Sequence, residues 1–377
     1  MRRTLFYVLP LVVLLAPAFA RLHLLDAPPS APRHATDGTV EASALSPEQV
    51  ALGRVQARIR EARRLLEAQP SPKLTDAVML AVGDAAGAGV QLVELPKELF
   101  LSKGAEAVVR TALGVPLKLR VERPNYVNTA VSVTDLEGRL LEPLLVRYPV
   151  EKNGALSEVA FYTSAHPALG SPELVRAGNS YVRAGLDEAA RELARLGKPV
   201  EPRVVDVAER LCLVEHVDHK RFKTEDHASI FNEVYTLYAL NSGHTYRYSV
   251  STAGAGGMVQ MIPPTYKAIR EHHPEVGLRE DFVEGMRDHE NALKAMLLYM
   301  QDTWDGLLKR EQVRGALATG LATQPELLAA GYNSNPARLH KYIERGGAGW
   351  RGLIPEETQM YLRIYASVEK KVSFRKR

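Results

Sequence analysis

The sequence predicts a mainly α-helical protein in which a helical C-terminal domain follows a mixed α/β N-terminal region. Three observations carry that reading. From about residue 200 onward, apolar residues recur at helical spacing, most clearly at 204, 207, 208, 211 and 214. Between about 115 and 165 the pattern changes to alternation, as in Leu117-Lys118-Leu119-Arg120-Val121 and Ala130-Val131-Ser132-Val133-Thr134. Ahead of both, residues 21–46 are rich in Pro, Ala and Ser, including Ala27-Pro28-Pro29-Ser30-Ala31-Pro32, a composition that builds no core and reads as a linker.

Taken in order, Met1 to Ala20 reads as a secretory signal. Arg2 and Arg3 supply the charged start, Leu5 to Ala16 the apolar stretch, and Ala18-Phe19-Ala20 the small residues of a cleavage site. That implies export to the periplasm or cell envelope. Ser46-Pro47-Glu48 has the form of a helix N-cap with Pro in the first turn. The helix it starts runs to about Ala68, with Val55, Ile59, Leu65 and Leu66 along one stripe. Leu144 to Tyr148 and Val159 to Tyr162 are further strand candidates, and Glu137-Gly138 marks a turn. Ser171-Pro172-Glu173 caps a helix that runs to about Leu196 and ends at Gly197-Lys198-Pro199. Residues 47–200 form the N-terminal region and 201–377 the C-terminal domain. The N-terminal region carries no chemistry that can be named and leaves room for docking another envelope protein.

Composition excludes some classes. Of 377 residues, 46% are hydrophobic and 24% charged, ordinary for a globular protein, and the formal charge is only +4. No concentrated basic stripe points to nucleic acid. Lys370-Lys371 and Arg375-Lys376-Arg377 read as a solvated helix end. The single cysteine, Cys212, sits in an apolar helical pattern, which favours a core thiol over a nucleophile and excludes an intramolecular disulfide.

Two features could carry chemistry. Glu215 falls on the apolar face of the helix read over Val204 to Val217, four residues after Leu211. A carboxyl there is costly unless paired or protonated, and desolvation raises its pKa toward the range a general acid needs. The competing reading is a structural Glu bonded to Arg210 or Lys220. The second feature is the uncharged run Ser251-Thr252-Ala253-Gly254-Ala255-Gly256-Gly257-Met258-Val259-Gln260-Met261-Ile262-Pro263. Its glycines allow a sharp turn or a close ligand approach, and Gln260 among apolar neighbours needs partners that a sugar amide could supply. His216 and His219, with Asp218 between them, stand near each other at i, i+3 on a helix, but this is not the H-E-x-x-H arrangement and no third ligand is evident. His272-His273 follows a helix and reads as surface. No metal or cofactor is expected.

The glycine run resembles the S-x-x-G-A-x-G-L-M-Q block of the soluble lytic transglycosylases, enzymes that cut the glycan strands of peptidoglycan. Ala330-Gly331-Tyr332-Asn333-Ser334-Asn335-Pro336 is similar to that family's A-Y-N-A-G-P block. Leu353-Ile354-Pro355-Glu356-Glu357-Thr358-Gln359-Met360-Tyr361 is similar to its L-P-x-E-T-R-x-Y block, and Asn291 to Met300 fits its central helix. The blocks stand in the family's order over about the last 175 residues, a context that a lone pattern lacks. The resemblance implies a lysozyme-like helical catalytic domain at 201–377. It implies a carbon–oxygen lyase that cleaves the MurNAc–GlcNAc β-1,4 bond and leaves a 1,6-anhydro end. Glu215 would be the general acid and base, with Ser251, Gln260, Tyr332, Asn333, Glu357 and Tyr361 holding the glycan.

The chain departs from the pattern in several places. His216 follows the Glu where the family has Ser, Met258-Val259 replaces Leu-Met, and Gln359 replaces Arg. An insertion over about 220–248 separates Glu215 from the glycine run, as a lid, a cleft wall or a packed helical hairpin. Asp218 is the candidate second carboxylate for a hydrolytic alternative, but one turn from Glu215 on the same helix it reads as a neighbour rather than the opposite wall of the cleft. A third class, a cleft that binds glycan without cutting it, stays open because of His216 and the insertion.

Overall fold

The computed structural model describes residues 45–72, 76–84, 89–243 and 254–377. The secretory signal, nearly all of the linker, Ser251 and the Tyr246-Arg247-Tyr248 stretch of the insertion lie outside the described residues. The first element is helix α1 (Pro47–Glu67). Ser46 caps it in a reciprocal box with Gln49, an arrangement that contributes about 1 kcal/mol to such a helix. Val55, Ile59, Ala62 and Leu66 form its buried stripe.

An antiparallel sheet follows: β1 (Ala77–Asp84), β2 (Val90–Pro96), the single-turn α2 (Lys97–Phe100), β3 (Glu106–Arg110), β4 (Pro116–Arg123), β5 (Ala130–Thr134), β6 (Leu140–Lys152) and β7 (Ala155–Tyr162). The strand order is β2-β1-β6-β5-β4-β3. The long β6 meets β5 at its start and β7 over its second half, along the edge opposite β1. The two end strands approach each other: Val93 bridges Thr111, and the Ala112 N–H donates to the Leu92 carbonyl at 2.8 Å. The sheet therefore curls almost into a barrel. Val78, Leu80, Leu95, Leu119, Val131, Val146 and Tyr162 fill its inner face.

The β-rich module is larger than the alternation over 115–165 implied, because β1, β2 and β3 precede it. β1 lies between β2 and β6 and buries both faces, so Ala77-Val78-Met79-Leu80-Ala81-Val82 is a continuous apolar run without the two-residue period. Such a run cannot be told from a buried helix by periodicity. On the outer face, Ala81, Leu144 and Leu145 pack against Val55, Ile59 and Leu66 of α1.

The remaining elements are helical: α3 (Pro172–Arg195), α4 (Pro202–Val214), α5 (His219–Thr224), α6 (His227–Leu240), α7 (Pro263–His272), α8 (Phe282–Arg287), α9 (His289–Leu308), α10 (Glu311–Ala318), α11 (Gln324–Asn333), α12 (Leu339–Gly346) and α13 (Glu356–Lys371). Helix α9 is the axis, and α3, α4, α7, α8, α10 and α11 all pack against it. Leu293, Met296 and Leu297 sit in its core face. Helix α3 shares this core through Val182, Leu186, Ala189 and Leu193, so the turn at Gly197 joins two helices of one packed body. Residues 45–377 form one compact unit.

Helix α6 ties the two halves together. Phe231 and Tyr238 lie in the helical core, Leu237 reaches the inner face of the sheet, and Leu240 meets the cluster under α1. The described part of the 220–248 insertion is therefore two consecutive helices, most of the short α5 and the packed α6.

Of the basic C-terminal residues, Lys370, Lys371, Arg375 and Lys376 are exposed, as a solvated helix end would be, but Arg377 is anchored. The Arg377 guanidinium lies 2.6 Å from Asp187, 3.0 Å from Asp206 and 2.6 Å from the buried Glu209. A carboxylate as buried as Glu209 is tolerated only when paired in this way. Among the described residues, no helix is long and apolar enough to cross a membrane.

Candidate active site

Four separate parts of the chain converge on one cleft of about 610 Å³. Helix α4 delivers Glu215 at its C-terminus. The turn before α7 delivers Gln260, the end of α11 delivers Tyr332 and Asn333, and the first turns of α13 deliver Glu357 and Tyr361. All six of these residues singled out from the sequence line the cleft, and Ser251 lies outside the described residues.

Helix α4 is shorter than the apolar spacing suggested, ending at Val214 with Glu215 as its C-cap. The chain turns at 215–217, and Asp218 begins a new helix as the N-cap of α5, accepting from the Lys220 and Arg221 N–H groups at 2.8 Å. Asp218 and Glu215 therefore do not share a helix, and Asp218 does not line the cleft. Its carboxylate is committed to a cap. The other cleft carboxylate is the exposed Glu357.

Neither Arg210 nor Lys220 pairs with Glu215. Arg210 turns to Glu369 and stacks under Phe374 instead. The partner of Glu215 is Tyr361, whose hydroxyl donates to Oε1 at 2.5 Å. The carboxyl keeps a narrow exposed face toward the cleft and is otherwise enclosed by protein. Burial pushes its pKa up from 4.5 to about 8, opposed by the Tyr361 hydrogen bond and assisted by the negative charge of Glu357. A carboxyl in that range keeps its proton at neutral pH and can give it up, which suits a general acid.

The tyrosines answer the same field. Desolvation and the neighbouring Glu215 hold the Tyr361 and Tyr332 phenols well above their ordinary range, so both remain donors. Tyr332 donates to the Val259 carbonyl at 2.7 Å, which fastens the glycine-rich turn to α11. Tyr299 of α9 stands edge-on to Tyr332 and lines the cleft as well.

The glycine-rich turn has specific backbone needs. Gly257 has φ +71°, and a Cβ there would lie 2.3 Å from the Met286 carbonyl oxygen. Gln260 also has a left-handed backbone, φ +47°, and its Nε2 closes the turn on the Gly257 carbonyl at 2.7 Å. The amide that lacked a partner in the sequence thus finds one within its own turn. A non-glycine residue held in this region costs about 1 kcal/mol or more, a strain that collects at functional sites.

His216 fixes the turn from the other side. Its Nε2–H donates to the Met258 carbonyl at 2.9 Å, and its ring meets Tyr238 edge-on. The Tyr238 hydroxyl bonds the Cys212 carbonyl at 2.6 Å. Burial lowers the His216 pKa to about 4, so the ring is neutral and acts as a strut. Cys212 is buried in this layer, and burial raises its thiol far above its ordinary value. That leaves it inert as a nucleophile.

His272 and His273 are not both on the surface. His273 is 5% exposed, and both imidazoles contact Asp302 of α9.

No family model, no curated protein and no solved structure matches this chain.

Proposed function

We propose that the chain is an exported peptidoglycan lytic transglycosylase whose C-terminal half has a lysozyme-like catalytic fold. The observation that carries this reading is the convergence itself. Residues from four sequence blocks that resemble one enzyme family, in the order that family uses, meet around a single carboxyl pushed to about 8.

In this reading one oxygen of Glu215 is fixed by Tyr361, and the other carries the proton to the leaving glycosidic oxygen. The C1–O4 bond breaks as the N-acetyl group of the same sugar stabilises the cationic carbon. Glu215, now ionised, takes the proton of the sugar's C6 hydroxyl as O6 bonds to C1. The result is a 1,6-anhydro ring with no water consumed. Attack from within the same sugar replaces a bimolecular step, which is worth several kcal/mol of barrier. Gln260, Tyr332 and Asn333 would hold the sugar's amide and hydroxyl groups along the cleft.

Glu357 supports a second reading. It lines the same cleft and acts on Glu215 through its charge, so it could activate a water for hydrolysis. Mass spectrometry of the soluble products from peptidoglycan sacculi separates the two. Anhydro-ended muropeptides from the wild type, and none from Glu215→Gln, are expected. Reducing-end products would replace lyase chemistry with hydrolysis. No product from either protein would leave a glycan-binding cleft.

A further inference from the structure

We propose that His272, His273 and Asp302 form a binding site for one divalent transition-metal ion, zinc by its donor set. The proposal is independent of the reaction at Glu215. His272 ends α7, His273 caps it, and Asp302 faces them from α9. The His272 Nδ1 lies 2.9 Å and the His273 Nε2 2.8 Å from the same oxygen, Asp302 Oδ2. All three donor atoms fall within 4.8 Å of one another.

The proton inventory favours an ion. With no metal, both imidazoles must turn an N–H toward Asp302. His273 then presents its Nδ1 lone pair to the interior, and that atom is buried without a hydrogen-bond partner. With a metal, both rings turn lone pairs to the ion and carry their protons on the opposite nitrogens. The His273 Nδ1–H then faces the Glu275 carboxylate, whose Oε1 stands 3.9 Å away. The Lys198 ammonium pairs with the same Glu275 oxygen at 2.6 Å and fixes the carboxylate in that place. A carboxylate behind a ligating imidazole is the usual outer partner of a metal-bound histidine, and it fixes the tautomer. The ion thus gives the orphaned nitrogen a proton and a facing carboxylate that the neutral, metal-free imidazole lacks.

Two imidazoles and a carboxylate suit zinc, which is commonly held by nitrogen and oxygen donors in a tetrahedron. Zinc at about 2.0–2.1 Å from each donor spreads tetrahedral donors to roughly 3.3 Å apart, a few tenths of an ångström beyond the present 2.8 and 2.9 Å from the imidazole nitrogens to Asp302 Oδ2. The exposed His272 ring can supply that adjustment by rotation. The fourth position opens on a cavity of about 660 Å³, which His272 and Asp302 line together with His340. This cavity shares Thr265, Tyr299 and Pro336 with the cleft of Glu215. The ion would clasp α7, the helix that leaves the Gln260 turn, onto the central α9.

The test is calorimetric titration of Zn²⁺ into tag-free protein stripped with chelator, with thermal unfolding in parallel. One Zn²⁺ per chain is expected, with a rise in Tm that chelator reverses. His272→Ala and Asp302→Asn should each weaken binding at least tenfold. Glu275→Gln should weaken it roughly tenfold through the outer partner. His272 is exposed, so its alanine variant should match the metal-free wild type in circular dichroism. Absence of saturable binding to the wild type at 100 equivalents of zinc overturns the proposal. So does binding by His272→Ala and Asp302→Asn equal to that of the wild type, since the ion would then sit elsewhere.

Discussion

Replacing Glu215 by Gln tests the electrostatics of the cleft without any substrate. The folded carboxyl has its pKa near 8 against 4.5 for the free group. The unfolded chain therefore loses this proton first as pH rises, and between about 4.5 and 8 the folded state holds more protons. Stability of the wild type must then fall with rising pH across that window. A gap of about 3.5 pH units corresponds to roughly 5 kcal/mol above pH 8, at about 1.4 kcal/mol per unit. At pH 7 most of the gap has been crossed, and the penalty is about 3 kcal/mol. Gln has the same shape, still accepts from the Tyr361 hydroxyl and never ionises. Glu215→Gln should be close to wild type in stability at pH 4.5. It should be more stable by about 1–4 kcal/mol at pH 8, the upper end being the full penalty at that pH and the lower end allowing for water reaching the exposed face of the carboxyl. Urea unfolding of both proteins at pH 4.5, 6 and 8 measures this as a difference that widens with pH. Parallel pH dependences for the two proteins would refute the claim that Glu215 is held protonated.

Two further substitutions probe what holds the carboxyl and the turn. Tyr361→Phe removes the hydrogen bond that favours the ionised form, so the Glu215 midpoint should rise above 8 by about one pH unit, since such bonds to charged groups are worth roughly 1.5–3 kcal/mol. Carbon-13 NMR of the Glu215 carboxyl reads the midpoint directly, and an unchanged value would mean that the 2.5 Å contact does not persist in solution. Gly257→Ala places a Cβ against the Met286 carbonyl in a left-handed backbone, and thermal unfolding should show a loss of about 2 kcal/mol or more. A loss below 0.5 kcal/mol would mean that the turn relaxes freely.

Much of this arrangement was legible in the sequence because its signals are local. The Ser46 and Ser171 caps, the Gly197 stop and the apolar stripe of α4 each depend on residues within one or two turns. Glu215 stood out for the same reason, as a carboxyl continuing an apolar face. What was hidden depends on partners far along the chain. The hydrogen-bond partner that Glu215 finds in place of a cation is Tyr361, 146 residues away. The place of Asp218 was misread because the chain breaks between Val214 and His219, and a short polar turn carries little periodicity. His273 is buried only because α9 runs past the end of α7, a contact no spacing within 263–273 could announce.

His216 is one of the struts that hold the glycine-rich turn. With Ser at that position, the turn at Met258 would lack the imidazole that now bonds its carbonyl. The ring spans a gap that a hydroxyl could not, and Tyr238 of α6 backs it, bonding the Cys212 and Met258 carbonyls at 2.6 and 3.3 Å. Tyr238 comes from the insertion itself. Helix α6 packs behind α4, and His216 and Tyr238 link it to the glycine-rich turn. Tyr332 holds the neighbouring Val259 carbonyl from the opposite side. The turn that presents Gln260 to the cleft is thus fixed by two consecutive carbonyls, from two different helices, in a backbone conformation it would not adopt unaided.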